Sequence, residues 1–263
     1  MYLPLHPTDN KMKLYLCLVL MLFGAAAGQL CIQVPGWLKQ IDAGAGQVYG
    51  VNDYNGIYRL IANNNWVAVP GSLIHVSVGP FGLWGANSGY SIYKMQDGNW
   101  VNVAGALKQV DAGGIGQLVG VNQFNNIYCL NQDAILSKSG NLIFNLVEGS
   151  LKYYSCGLYG CWGVNSNNDI FKRLKVSPRN CKGSEWKQVK GKLVMVEVGT
   201  DGSVYGLNKE GQIFRRQGIS ASNPIGTVWT RINIVGTFKH LSFDEGILWL
   251  INTDGNIFRC GMH

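Results

Sequence analysis

Apolar and polar residues alternate in a short phrase that recurs six times along this chain. Each copy has two apolar residues, a glycine in five of the six copies, a further apolar or small residue, an asparagine, four loop residues and an isoleucine. The copies are VYGVNDYNGIYR (48–59), LWGANSGYSIYK (83–94), LVGVNQFNNIYC (118–129), CWGVNSNNDIFK (161–172), VYGLNKEGQIFR (204–215) and LWLINTDGNIFR (248–259). Short apolar runs on both sides of a four-residue polar gap predict a β-hairpin in each copy.

The spacing of the copies predicts a repeat architecture. Their asparagines are Asn52, Asn87, Asn122, Asn165, Asn208 and Asn252, which lie 35, 35, 43, 43 and 44 residues apart. Self-similarity at such a period indicates a solenoid or a propeller. In the repeat that opens at Trp100, residues 100–105, 107–111, 118–121 and 127–130 predict four strands, which is the content of one propeller blade.

The two ends of the array match, which favours a closed ring. Five repeats open on an aromatic residue, namely Trp66, Trp100, Phe144, Trp186 and Trp229. The first repeat has Cys31 there, because residues 31–44 align with residues 100–113. An open solenoid needs polar caps, and nothing resembles one. We therefore predict an all-β fold, a six-bladed β-propeller over residues 29–263, with the aromatic and isoleucine columns in its core.

The N-terminus predicts export. Lys11 and Lys13 precede an apolar run of ten residues (14–23) and the small residues 24–28. This order is typical of a secretory signal peptide, here residues 1–28, with translation starting at Met1 or at Met12. The run is too short to span a bilayer comfortably, so we expect a secreted, extracellular product without a membrane span.

Six cysteines remain after the leader, and an even number in an exported chain indicates disulfides, with fifteen possible pairings. The positions of the cysteines within the repeats reduce the number of plausible pairings. Cys31 and Cys260 lie at the two ends of the array, Cys156 and Cys161 flank a tight turn, and Cys129 and Cys181 then pair by exclusion. A zinc site is the rival interpretation, but there is no CxxC pair and the histidines are scattered, so whether a metal binds is unknown.

Composition adds a weak indication of the partner. Charged residues are only 14% of the chain and the net charge is +7. A basic excess favours anionic partners such as phosphorylated glycolipid or sulfated glycan. The simpler interpretation is a soluble basic surface, because the lysines and arginines do not cluster in sequence.

The usual catalytic motifs are absent from the sequence. There is no HExxH or GxSxG, and only His75 and His240 lie within the repeats. We therefore predict no enzyme and no catalytic residue. The loops between the paired strands instead combine aromatic rings with amides and carboxylates, as carbohydrate sites do. Our candidate carbohydrate-binding residues are Asp53, Tyr54, Asn55, Asn87, Tyr90, Asn122, Asn125, Asn165, Asn168, Asn252 and Asp254. Ordinary turns use the same residues, and an asparagine there can bond the turn's own backbone.

The longer phrases VSVGPFGLWGANSGYSIYK (76–94) and VEVGTDGSVYGLNKEGQIFR (196–215) resemble the tectonin repeat. The leader, repeats and cysteines are arranged most like those of fish egg lectins, a group of tectonin-repeat β-propeller lectins, over essentially the whole mature chain. The resemblance implies a secreted multivalent lectin for N-acetylglucosamine-type glycans and bacterial surface polysaccharide or lipopolysaccharide. It further implies a role in innate immunity by agglutination or opsonisation.

The resemblance raises calcium as an accessory, with no cofactor required. We expect no nucleic-acid partner, and a homo-oligomer is one open option. Four positions depart from the repeat pattern: Cys31, Val119, Phe144 and Leu250. We therefore expect fewer competent sites than blades. The alternative function is a non-catalytic protein-interaction or structural component of the egg.

Overall fold

The computed structural model describes residues 31–137 and 142–262, so the predicted leader and Met12 lie outside the described residues. The strands are β1 (Cys31–Trp37), β2 (Gln40–Gly44), β3 (Gln47–Val51), β4 (Gly56–Ile61), β5 (Asn65–Ser72), β6 (His75–Gly79), β7 (Gly82–Ala86), β8 (Ser91–Gln96), β9 (Asn99–Ala106), β10 (Gln109–Asp111), β11 (Leu118–Val121), β12 (Ile127–Leu130), β13 (Asn145–Val147), β14 (Tyr153–Gly157), β15 (Gly160–Val164), β16 (Asp169–Arg173), β17 (Trp186–Lys192), β18 (Met195–Val198), β19 (Val204–Leu207), β20 (Ile213–Arg216), β21 (Trp229–Ile232), β22 (Phe238–Asp244), β23 (Ile247–Asn252) and β24 (Asn256–Gly261). A 3-10 turn (Ala62–Asn64) and a short helix α1 (Gln132–Leu136) complete the elements. No helix in the described ranges has the length and apolar character that a membrane crossing requires.

The strands form six four-stranded antiparallel sheets, which are the six predicted blades. Blade 1 is β2–β5, blade 2 is β6–β9, blade 3 is β10–β13, blade 4 is β14–β17, blade 5 is β18–β21, and blade 6 is β22–β24 with β1. The first strand of each blade contacts the first strand of the next blade, and the first strand of blade 6 contacts that of blade 1. The ring is therefore closed around a central channel.

Closure uses the two ends of the chain. Strand β1 pairs antiparallel with β24, and Cys31 lies directly opposite Cys260, to which it is disulfide-bonded. The sequence repeat is thus offset from the blade by one strand, because the opening strand of each repeat is the outermost strand of the preceding blade. The other two predicted pairings are also confirmed. Cys156–Cys161 joins β14 to β15, and Cys129–Cys181 ties blade 3 to blade 4.

The change of period from 35 to 43 or 44 residues has a structural cause. Blades 3, 4 and 5 have long connections between their third and fourth strands, over residues 131–144, 174–185 and 217–228. In these three blades the first and second strands pair in the same register as the first and second strands of the other blades. The insertions therefore lengthen the repeat without changing the ring.

The opening tryptophans join neighbouring blades. Trp66 donates its indole N–H to the Pro35 carbonyl at 2.9 Å, and Trp100 donates to the Pro70 carbonyl at 2.7 Å. The glycine that follows each of these prolines has a positive φ, and a Cβ on Gly71 would lie 2.9 Å from the Trp100 indole nitrogen. The aromatic column is half-buried and packs against the core clusters, so the predicted core role holds only in part. The close approach explains why glycine is needed at this place on the preceding strand.

Candidate functional site

The repeated asparagine shapes the loop between the second and third strands of each blade. Asn52 Oδ1 accepts hydrogen bonds from the backbone N–H groups of Tyr54 at 3.0 Å and Gly56 at 2.8 Å. The equivalent oxygens of Asn87, Asn122, Asn165, Asn208 and Asn252 also accept from backbone within their own loops. These oxygens are therefore used to hold the turn, as an Asx turn does. The amide nitrogens of Asn52, Asn165, Asn208 and Asn252 donate to side chains of their own blade.

These six loops share one face with the linkers between blades, which we call the asparagine face. Each linker donates a backbone N–H to the loop of the preceding blade, as Leu73 does to the Asn55 carbonyl at 2.9 Å. Three lysines at the starts of innermost strands lie on this face and donate to loop amides. Lys39 donates to Asn55 at 2.5 Å, Lys108 to Asn125 at 2.6 Å and Lys152 to Asn168 at 2.5 Å.

Lys239 holds the equivalent place in blade 6. We call Lys39, Lys108, Lys152 and Lys239 the lysine crown. Burial lowers the pKa of its first three members. In the described part of the chain, none of the four has a carboxylate within ion-pair distance. The crown therefore concentrates positive charge on the asparagine face.

Three pockets open between blades on the same face, in the same register. Pocket A lies between blades 6 and 1 with a volume of about 300 Å³, pocket B between blades 2 and 3 with about 180 Å³, and pocket C between blades 4 and 5 with about 120 Å³. Each has an isoleucine, two aromatic rings, the loop asparagine and a linker leucine. These are Ile257, Tyr58, Trp66, Asn52 and Leu38 in A, Ile92, Tyr128, Phe144, Asn122 and Leu107 in B, and Ile170, Phe214, Trp229, Asn208 and Leu193 in C.

Pocket A has the chemistry that a sugar requires. Its volume reaches the lower end of the range of small-ligand sites, which pockets B and C do not. The side chains of Trp37 and Tyr54 are 69% and 91% exposed at its rim, so two aromatic faces are free to stack. Asp53 and the Asn52 amide, which donates to the Tyr58 hydroxyl at 3.3 Å, add polar groups.

Pockets B and C depart from this composition. Phe124 holds the place of Tyr54 in blade 3 and is 72% exposed, so an aromatic face remains near pocket B. In pocket C, Lys192 replaces Trp37, and its amine is engaged by Asp169 at 2.6 Å. Glu210 holds the place of Tyr54 there. The three pockets are therefore not equivalent as sugar sites.

The predicted site residues are dispersed over this face. Asp53 and Tyr54 line pocket A, and Asn122 lines pocket B. The remaining predicted residues belong to turns outside these three pockets. They are Asn55, Asn125 and Asn168 under the lysine crown, and Asn87, Tyr90, Asn165, Asn252 and Asp254 in their own loops.

Sequence reasoning missed the walls of the pockets, Trp37, Tyr58 and Trp66 among them. A second repeated phrase marks the linker side of each pocket, because Val-x-Gly recurs at 34–36, 69–71, 103–105, 147–149 and 189–191. In sequence, two strands separate each Val-x-Gly phrase from the asparagine loop that lies next to it in the folded protein.

Among the described residues, three buried carboxyl groups hold equivalent positions on the innermost strands of blades 1, 3 and 5, namely Asp42, Asp111 and Glu197, and Asp244 is buried at the end of the innermost strand of blade 6. Burial raises the pKa of Asp42 to about 8 and that of Asp111 to about 7, and it raises the pKa of Glu197 well above its ordinary value. Calcium takes six to eight oxygen ligands. Across the described residues, no group of three or more His, Cys, Asp or Glu side chains is placed to hold one metal ion. The geometry thus gathers no calcium site, and calcium stays a prediction from the resemblance.

Comparison with known proteins agrees with this architecture. The family model of the tectonin domain matches residues 37–253. A fish-egg lectin of Cyprinus carpio is 48% identical over 233 residues, which are 88% of this chain and 98% of the carp protein.

Solved structures show the same fold at low identity. The gluconolactonase XC5397 of Xanthomonas campestris has a TM-score of 0.63 at 10% identity, over 91% of this chain and 93% of that one. Virginiamycin B lyase from Staphylococcus aureus has a TM-score of 0.59 at 12% identity, over 89% and 99% of the two chains. At such identities the likeness concerns the fold alone.

Proposed function

Because the chain belongs to the tectonin domain family, in which its carp relative is a lectin, we propose that it is a secreted, non-catalytic, multivalent lectin. The observation that carries this proposal is pocket A, where two exposed aromatic faces, an amide and a carboxylate border an apolar floor. Sugars offer a C–H face to aromatic rings and hydroxyls to polar groups, so this combination suits a pyranose.

The proposed ligand of pocket A is an N-acetylglucosamine-type glycan. Trp37 and Tyr54 stack on the sugar ring, while Asn52 and Asp53 bond its hydroxyls. The methyl group of the N-acetyl substituent lies on the apolar side of the pocket, where Leu38 and Ile257 are buried beneath its surface. Pocket B, which is smaller but has Phe124 nearby, is a weaker site of the same kind.

Several sites on one face give strong attachment to a glycan-coated surface. The second binding event on such a surface is effectively intramolecular, and avidity then exceeds single-site affinity by about 10²–10⁴. The lysine crown lies on the same face and adds attraction for anionic groups. Lipopolysaccharide presents both sugars and phosphates, which supports microbial surfaces as targets and innate recognition, by agglutination or opsonisation, as the role.

The test is glycan binding by the full chain and by Trp37→Ser. Serine is the residue at the equivalent place on the outermost strand of blade 1 (Ser72), so the variant keeps the fold. We expect N-acetylglucosamine to bind the native chain and the affinity of Trp37→Ser to fall about five- to thirtyfold, since a lost stacking face costs about 1–2 kcal/mol. Titration calorimetry measures both. Ser72→Ala is the matched control and leaves the affinity unchanged.

The same assay tests the wider proposal. Chelation with EDTA leaves sugar binding intact if no cofactor is required. Loss of binding that added CaCl₂ restores and added ZnCl₂ does not would show dependence on calcium. Phosphorylated lipopolysaccharide binds more tightly than its dephosphorylated form if the crown contributes. If no N-acetylated sugar and no lipopolysaccharide binds, the lectin proposal is wrong, and the alternative of a protein-interaction or structural egg component replaces it.

A further inference from the structure

One ring of side chains around the channel is not used by the proposed sugar sites. It consists of the innermost-strand residue that pairs with the position before each repeated asparagine: Gln40, His75, Gln109, Tyr153, Met195 and His240. All six are at least partly buried. The ring lies at the end of the channel nearer the asparagine face.

Three members of this ring have hydrogen-bond partners. Gln40 donates to the Val76 carbonyl at 2.8 Å and accepts from the Val76 N–H at 3.1 Å. Gln109 bonds the Tyr154 backbone in the same way, at 2.9 and 3.2 Å. The hydroxyl of Tyr153 donates to Glu197 at 3.2 Å, one layer further along the channel.

The two histidines differ from their neighbours. His75 and His240 are each 8% exposed, and none of their four ring nitrogens has a hydrogen-bond partner in the structure. Leaving a buried polar group unpaired costs about 1–3 kcal/mol, so such groups in native proteins call for an explanation. Two of them on one channel, with all four nitrogens unpaired, indicate a ligand that binds between them.

The rings are close enough to share one ion. The imidazole centroids of His75 and His240 are 6.2 Å apart, and both lie 6.1–6.2 Å from the Tyr153 ring, so three blades contribute to one nearly equilateral triangle. Burial lowers the pKa of both histidines to about 3, which keeps them neutral at pH 7. A neutral imidazole has a free lone pair, which is the form that binds metals.

We propose that His75 and His240 together bind a divalent metal ion of the zinc–copper class on the channel axis. Imidazole nitrogen suits these ions, whereas calcium and magnesium take oxygen ligands. The Tyr153 hydroxyl is engaged by Glu197, so the remaining coordination positions are open to water or to an incoming ligand atom. With two protein ligands instead of the four of a structural zinc site, the ion is exchangeable and the fold does not depend on it.

The ring itself supplies the matched variant for the test. Glutamine is the native residue in blades 1 and 3, so His75→Gln and His240→Gln place at the two sites a side chain that the ring already accommodates. All proteins, including the reference, carry His263→Ala, which removes a histidine that lies outside the described residues and would add a second metal ligand set to the titration. The chains are stripped with EDTA, dialysed and titrated with ZnCl₂, CuCl₂, CaCl₂ and MgCl₂ by calorimetry.

We expect one Zn²⁺ per reference chain, with Cu²⁺ tighter than Zn²⁺ and no detectable binding of Ca²⁺ or Mg²⁺ at the same concentrations. Each single variant weakens Zn²⁺ binding at least tenfold, and the double variant abolishes it while unfolding at the same temperature in metal-free buffer. Unchanged Zn²⁺ binding by the double variant would overturn the proposal, and so would displacement of Zn²⁺ by equimolar Ca²⁺. If the double variant does not fold, electron paramagnetic resonance of the Cu²⁺-loaded reference chain decides, since two coordinated nitrogens are required.

Discussion

Asp111 lies in the innermost strand of blade 3, and its Oδ1 accepts a hydrogen bond from the Cys156 N–H of blade 4 at 2.9 Å. Asp42 and three serines make the same kind of contact with the next blade. Glu197 holds the equivalent position in blade 5 and is engaged instead by the Tyr153 hydroxyl. These short polar side chains thus accept hydrogen bonds that connect the innermost strands around the ring. In blades 1 and 3 the accepting group is a buried carboxyl.

The raised pKa of Asp111 predicts a pH-dependent cost. Its pKa is about 7 in the folded protein against 3.8 ordinarily. As pH rises from 4 to 7, the unfolded chain releases a proton that the folded chain keeps, so stability falls, and above about 7 the cost is constant. Asp111→Asn cannot ionise and keeps the acceptor for Cys156. We expect the stability difference between Asp111→Asn and the native chain to shift in favour of the variant by about 2–4 kcal/mol when the pH is raised from 4 to 8.

Denaturant unfolding at the two pH values measures this change. Asp97→Asn, at an exposed loop position, is the control and shows no comparable gain. An Asp111→Asn effect that is the same at pH 4 and pH 8 would show that Asp111 is ionised in the fold without cost.

In five of the six blades, the second and third strands share a cation–aromatic pair. The pairs are Tyr49 with Arg59, Trp84 with Lys94, Trp162 with Lys172, Tyr205 with Arg215 and Trp249 with Arg259, at 5.3–6.0 Å, and their members lie directly opposite each other. In blade 3 the opposed residues are Val119 and Cys129. The departure at Val119 thus has a structural reason, because its partner is a disulfide cysteine with no charge for an aromatic ring to contact.

At the scale of the whole molecule, stability depends on how the ring is closed. The Cys31–Cys260 bridge joins residues 229 positions apart, whereas Cys156–Cys161 joins residues five apart. Loop entropy in the unfolded chain then gives about 5 kcal/mol for the first bridge and about 2 kcal/mol for the second. Pocket A includes Gly36 and Trp37 of β1, so closure also positions the main proposed sugar site.

We therefore expect Cys31→Ser with Cys260→Ser to lower the melting temperature by about 10 °C or more, and Cys156→Ser with Cys161→Ser to lower it by roughly half as much. Calorimetry measures both, and sugar titration of the first variant should show weakened binding at pocket A. Equal losses of stability in the two variants would contradict a special role for closure.

The sequence by itself determined the number of blades, the hairpin of the second and third strands in each blade and the three disulfides. Each of these follows from the alignment of the repeats. A strand pattern of period two that recurs every 35–44 residues gives each residue an equivalent position in every repeat, and Cys31 and Cys260 have definite positions in that alignment. The turn role of the repeated asparagine was also legible, because it depends on local backbone alone. The sequence did not show that the opening strand of each repeat belongs to the preceding blade.

Only the tertiary structure decided which residues of different repeats come into contact. Pocket A joins Trp37 of β1 to Ile257 of blade 6 and Trp66 of blade 1, and the channel brings His75 beside His240. These residues are far apart in sequence and belong to different repeats, so no local pattern relates them. Their contacts arise when the last blade takes its fourth strand from the start of the chain, which is a property of the closed ring and of no single repeat.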